Sequence, residues 1–131
     1  GNGTGPIEEM TTHLYKIGVL SSILTVESIR TAMQKYGNKP MSGEEVRWGI
    51  ENLNIDVARI EALGATGFMS PLKVSCEDHE GQGRVRFAMW NGTEFESASD
   101  WIETDQSIVR PMVEASAAAY AADNGIKLGC N

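Results

Sequence analysis

The stretch Lys73–Trp101, KVSCEDHEGQGRVRFAMWNGTEFESASDW, decides how the rest of the chain is read. Val85, Phe87 and Met89 alternate with Arg84, Arg86 and Ala88, the two-residue period of a strand with one face turned inward. Asn91-Gly92 follows, and because both residues tolerate positive φ a tight two-residue hairpin turn is expected there. Thr93 to Ser97 is the returning strand, with Phe95 inward. Upstream, Leu72 to Val74 has room for one more short strand, and Glu77 to Gly83 is a polar, glycine-bearing turn region. About three short, late, antiparallel strands do not make a complete sheet, and a doubly wound fold needs repeated strand–helix pairs. The segment therefore reads as part of something larger.

Helices flank this ribbon. A first long helix is expected from Glu8 to Tyr36, because Leu14, Ile17, Leu20 and Leu24, then Val26, Ile29 and Met33, recur at helical spacing. Thr25 marks a point where it can kink, and Gly37 with Pro40 stops it. Ser42-Gly43-Glu44-Glu45 is a capping box opening a second helix, with Val46, Ile50 and Leu53 on its apolar face; Gly49 lowers its intrinsic helicity by about 1 kcal/mol. Asp56 caps a short third helix carrying Val57, Ile60 and Leu63, ended by Gly64. A last helix is expected from Ile108 to Asp123, with Val113, Ala117, Tyr120 and Ala121 on one face. Pro111 fits its first turn, so Ile108–Arg110 reads as a separate short turn. Asn124-Gly125 stops it. The long first helix has no earlier strand to pack on, so its apolar stripe must be covered by other polypeptide or by another copy.

With 131 residues the chain is the size of one domain, and 22% charged residues argue against wholesale disorder. The net charge of -7 and the lack of a basic patch exclude phosphate-driven nucleic-acid binding. No apolar run of about 18 residues exists, so a membrane-spanning helix is not expected. The opening Gly1-Asn2-Gly3-Thr4-Gly5-Pro6 is turn-rich and reads as a linker. Cys76 and Cys130 are either two buried thiols or one bridge, the latter requiring an oxidising compartment.

Chemical constellations are sparse. Cys76, Asp78, His79 and Glu80 form a compact potential metal cluster, but zinc wants four convergent N/S ligands and this spacing matches no zinc module. Cys76 and His79, three residues apart, lack an orienting partner for nucleophilic work. Glu94 and Glu96 read as a solvated hairpin face. Asn2-Gly3-Thr4 and Asn91-Gly92-Thr93 match the glycosylation pattern but are turn signals first. Trp48, Trp90 and Trp101 read as packing residues, with Trp90 the one suited to a cleft. No enzyme, cofactor or metal site is expected.

The order Tyr15, Val26-Glu27-Ser28-Ile29-Arg30-Thr31-Ala32, Glu45-Val46-Arg47-Trp48-Gly49-Ile50-Glu51-Asn52-Leu53, Asp78-His79-Glu80-Gly81, Phe87-Ala88-Met89-Trp90-Asn91-Gly92, Val109-Arg110-Pro111 and Ala118-Ala119-Tyr120-Ala121 resembles the C-terminal third of periplasmic substrate-binding proteins of the branched-chain amino-acid ABC transporter type. The resemblance covers nearly the whole chain after residue 7. It implies an α/β chain, long helices plus a short antiparallel hairpin, forming part of one lobe of a type I periplasmic binding fold. Residues 1–7 would be linker and residues 8–131 the C-terminal part. Arg84 to Trp90 would cross the hinge. It further implies a periplasmic solute receptor, with a branched-chain amino acid, related amino acid or aromatic acid as solute and a membrane ABC permease as partner. Met10, with His13 and Tyr15 close by, would line the pocket. Most of that family's ligand contacts have no counterpart here, so this chain alone should bind solute weakly or not at all. Within this reading Cys76 and Cys130 are expected to be bridged, tying the tail to the loop before the hinge strand. The second reading is a small α+β interaction module that self-associates through the first helix as a homodimer.

Overall fold

A computed structural model describes residues 5–130; Asn2-Gly3-Thr4 and most of the expected linker lie outside the described residues. The chain forms two units, one reaching to Pro71 and one beginning at Leu72. Its class is mixed α/β: among the described residues there are four α-helices and short antiparallel strand pairs.

The first unit starts with a 3-10 turn (Ile7–Thr11) and contains α1 (His13–Tyr36), α2 (Gly43–Glu51), β1 (Asn54–Ile55) and α3 (Val57–Ala62). The expected start at Glu8 is corrected to His13. Thr12 is extended, its oxygen accepts the Tyr15 N–H at 3.3 Å, and its hydroxyl donates to the Glu9 carbonyl at 2.7 Å, which separates the turn from the helix. Thr25 does not break α1; its hydroxyl bonds back to the Ser21 carbonyl at 2.8 Å and the helix runs through to Tyr36. Gly37, at φ 86°, stops it as expected. Ser42 and Glu45 form both halves of the capping box, and Asp56 accepts the Arg59 N–H at 2.8 Å to start α3.

Packing in this unit differs from the stripes read in sequence. Leu14 and Ile17 are exposed, whereas Glu27, Ser28 and Ala32 are the buried residues of α1. The cause is Gly49 on α2. A Cβ built there would lie 2.2 Å from the Ser28 carbonyl oxygen and 3.1 Å from the Ala32 Cβ, so the two helices touch through small residues. Trp48 meets the Tyr36 ring edge-on at 5.7 Å, and the Lys35 ammonium lies 4.0 Å from the Trp48 ring centre. Leu53, Ile55, Ile60, Ala65 and Met69 are buried.

The second unit contains β2 (Leu72–Lys73), β3 (Arg84–Val85), β4 (Ala88–Trp90), β5 (Phe95–Ser97), β6 (Ile102–Glu103) and α4 (Gln106–Asn124). The single strand expected over Arg84–Trp90 is two. β3 pairs with β6, Val85 opposite Ile102, and β4 pairs with β5, Trp90 opposite Phe95. The turn is also one residue later than read. The Asn91 N–H donates to the Glu94 carbonyl at 3.0 Å, so Gly92 and Thr93 are the central residues. The Asn91 side-chain oxygen takes the N–H groups of Thr93 and Glu94, and Gly92 alone adopts positive φ, 104°. Helix α4 begins at Gln106, where Asp105 accepts the Ser107 N–H at 3.0 Å. Pro111 sits inside one continuous helix, so the separate turn expected at Ile108–Arg110 does not form. Gly125, left-handed at φ 63°, ends it. Val74 and Ala121 are buried, while Tyr120, expected inward, is exposed.

Candidate functional site

Two polar constructions stand out, one in each unit. In the second, the loop Ser75–Gly81 folds on Asp78. Its backbone N–H donates to the Ser75 hydroxyl at 3.1 Å, and its Oδ1 accepts the N–H groups of Glu80 and Gly81 at 3.1 and 3.0 Å. Gly81 is buried at φ 68°, and a Cβ there would meet Leu72 Cδ1 at 2.8 Å, so the loop closes only with glycine. Arg110, from α4, clamps this loop. It donates to the Glu77 carbonyl oxygen, lies 3.4 Å from Asp78 Oδ1, and donates through Nε to Glu114 at 2.8 Å. The Glu114 hydrogen bond and the nearby Asp78 and Glu80 charges raise the Arg110 pKa further. Cys76 is bonded to Cys130, fastening the same loop to the tail.

Beside the clamp lies an open groove of about 510 Å³, lined by Glu80 and by Met112, Val113, Ser116, Ala117 and Tyr120 of α4. Met112, Val113 and Ala117 make its walls mainly apolar, and Glu80, Ser116 and Tyr120 bring the polar groups. The disulfide also removes two chemical options. A bridged Cys76 offers no thiolate to a metal and none to His79 as base.

In the first unit the Glu27 side chain is only 8% exposed and is gripped by Arg59 of α3, Nε to Oε2 at 2.8 Å and Nη2 to Oε1 at 2.7 Å. Arg30 approaches to 3.5 Å. The Arg59 hydrogen bonds hold the Glu27 carboxyl below its usual 4.5, outweighing the opposing effect of burial. A carboxylate whose folded pKa is depressed stabilises the fold above its unfolded value, and that contribution is lost as pH falls through the folded pKa. Acidification below about pH 4.3 should therefore weaken the first unit. The Glu27→Gln variant should show a shallower acid limb, by up to about one proton, roughly 1.4 kcal/mol per pH unit. Urea midpoints measured between pH 2.5 and 6 check this; parallel limbs would show that the pair does not couple protons to folding.

The pocket residues expected from sequence lie in the first unit. Met10 lies on the 3-10 turn and His13 and Tyr15 on the first turn of α1, all three exposed. The Glu27–Arg59 pair was missed because 32 residues separate its members and nothing local announces it. The Arg110–Glu114 pair was legible as an i, i+4 pattern.

The chain matches no family model and no curated protein. It does match the crystal structure of an ABC transporter permease from the Pseudomonas fluorescens group, at 40% identity and a TM-score of 0.89 over 96% of this chain. The chain spans about a third of that protein, 31% of its length. This finding overturns the expected membership in the periplasmic substrate-binding proteins of the branched-chain amino-acid type. The solute-receptor function goes with it. The match gives no support to a self-associating interaction module either. The link to ABC transporters stands, as does the Cys76–Cys130 bridge.

Proposed function

We propose that this chain is a non-catalytic, water-facing portion of an ABC transporter protein of the kind to which the Pseudomonas fluorescens group permease belongs, acting on the periplasmic side. The observation that carries this reading is the extent of the match, 96% of the chain at 40% identity and a TM-score of 0.89. Contact with water is supported by exposed ion pairs such as Lys39–Glu45 and Arg47–Glu51, which occur where side chains are solvated. Among the described residues no helix is long and apolar enough to cross a membrane. The periplasmic side is supported by the Cys76–Cys130 bond, which persists in oxidising compartments. A structural role fits how the acidic groups are used: Glu27 grips Arg59, Glu45 caps α2 and meets Lys39, and Asp105 caps α4.

The test exchanges the matched third of the Pseudomonas protein for this chain. The chimera should melt cooperatively within about 10 °C of its parent, and alkylation in intact cells should find Cys76 and Cys130 oxidised. Failure to melt cooperatively overturns the proposed equivalence, and reduced thiols overturn the location.

A further inference from the structure

The β4–β5 ribbon carries large apolar side chains that the described residues leave exposed. Phe87, Met89, Trp90 and Phe95 are 61%, 61%, 54% and 70% exposed. Opposed residues of an antiparallel pair share a face, so Trp90 and Phe95, with ring centres 5.2 Å apart, lie on one side with Ala88 and Ser97. Phe87 and Met89 occupy the other side with Glu96. The Phe87–Met89 face is thus mixed, whereas the exposed Trp90–Phe95 ring pair is an apolar patch of the kind that other polypeptide covers. A lone two-stranded ribbon is also marginally stable.

The backbone agrees with the side chains. Asn91 donates to the Glu94 carbonyl and Ala98 to the Phe87 carbonyl. Antiparallel pairs alternate, so the N–H and C=O groups of Ala88 and Trp90 point away from β5, along an outer edge. That edge, with Ala88 and Trp90 outward, is ready to accept another strand.

A second copy meets these demands poorly. Isologous edge pairing satisfies one edge of each ribbon and leaves the Trp90–Phe95 face bare. The matched crystal structure belongs to a protein about three times longer, of which this chain spans 31%. We propose, resting on the functional reading above, that β4–β5 is an interior segment of such a longer protein's sheet. A strand from its other two-thirds pairs with the Ala88–Trp90 edge, and an apolar layer from the same polypeptide covers the Trp90–Phe95 face.

The chimera tests this. Hydrogen exchange at the Ala88 and Trp90 amides should slow by about 100-fold between the isolated chain and the chimera. Ala88→Pro removes only the outward N–H, so it should leave the isolated chain's melting unchanged but lower the chimera's Tm by about 5 °C. A cooperatively melting chimera in which both amides exchange as fast as in the isolated chain overturns the proposal and leaves the functional reading intact. Protection that rises with concentration in the isolated chain assigns the edge to a second copy and also overturns it. A chimera that does not melt cooperatively removes the functional reading, and this inference falls with it.

Discussion

Reduction of the Cys76–Cys130 bond should destabilise the unit that begins at Leu72 by about 4 kcal/mol, enough to unfold it at 37 °C. The bond joins residues 54 positions apart. Freeing a loop of that length restores chain entropy to the unfolded state worth about 4 kcal/mol. Little else in this unit offsets such a loss. Its buried hydrophobics are Val74 and Ala121, while Phe87, Met89, Trp90, Phe95, Ile108, Met112 and Tyr120 are all exposed. Units of about 60 residues are marginal even with a better core. Residues 126–130 have no regular structure, so the bridge is the anchor of this tail beside the Arg110 clamp. Urea melts with and without reductant, followed by Trp90 and Trp101 fluorescence in a Trp48→Phe background, should show the shift. The Cys76→Ser, Cys130→Ser double variant should reproduce it without reductant. Arg110→Ala removes solvent-screened pairs and should move the melt far less. A shift under about 1 kcal/mol in both the reduced protein and the double variant would show that the loop is held by its own hydrogen bonds.

How much of this fold could be read in the chain depended on whether the deciding interaction was local. Ser42–Glu45, Asp56 and Gly125 were legible because caps are written within three or four residues of the backbone groups they satisfy. The helix stripes misled. Periodicity at Leu14, Ile17, Leu20 and Leu24 identifies a helix correctly but says nothing of which stretch finds a partner; α2 meets α1 at Ser28 and Ala32, two small residues opposite Gly49. The strand from Arg84 to Trp90 failed for a related reason. Its alternation is real, but pairing partners decide where strands begin, and β6, only Ile102–Glu103, carries no pattern long enough to be seen.

The candidate sites followed the same division. Cys76 and Cys130 needed a distant pairing, and the expectation of a bridge came through a family resemblance whose functional content the match to a permease structure overturns. The clamp on Asp78 joins residues 32 apart in sequence, and Glu27–Arg59 likewise, so neither could be found by spacing. Met10, His13 and Tyr15, named through the resemblance, lie on the surface. Long-range charge pairs and the exposed faces of β4–β5 are properties of folded geometry, visible only once the chain is assembled.

Gly49→Ala should destabilise the first unit by about 2 kcal/mol, the reverse of what helix propensity alone predicts. Replacing a mid-helix glycine by alanine ordinarily adds about 1 kcal/mol of stability. At Gly49 the new methyl group would sit 2.2 Å from the Ser28 carbonyl oxygen and 3.1 Å from the Ala32 Cβ. The first of these is backbone in the middle of α1, with no rotamer to escape into, so the helices must separate. Overpacking of this kind costs about 3 kcal/mol at the upper end of its usual range, which exceeds the propensity gain. Separation would also pull Trp48 from the edge of Tyr36 and from the Lys35 ammonium, contacts that exist only while α1 and α2 stay in register. Gly43→Ala supplies the contrast, because nothing lies within 4 Å of a Cβ built there and the substitution falls at the start of the same helix. It should change stability by no more than about 0.5 kcal/mol. Urea unfolding followed by Trp48 fluorescence separates the two variants. A Gly49→Ala protein as stable as the parent would mean that α1 and α2 are not held at this distance by Gly49, and that the buried placement of Ser28 and Ala32 has another cause.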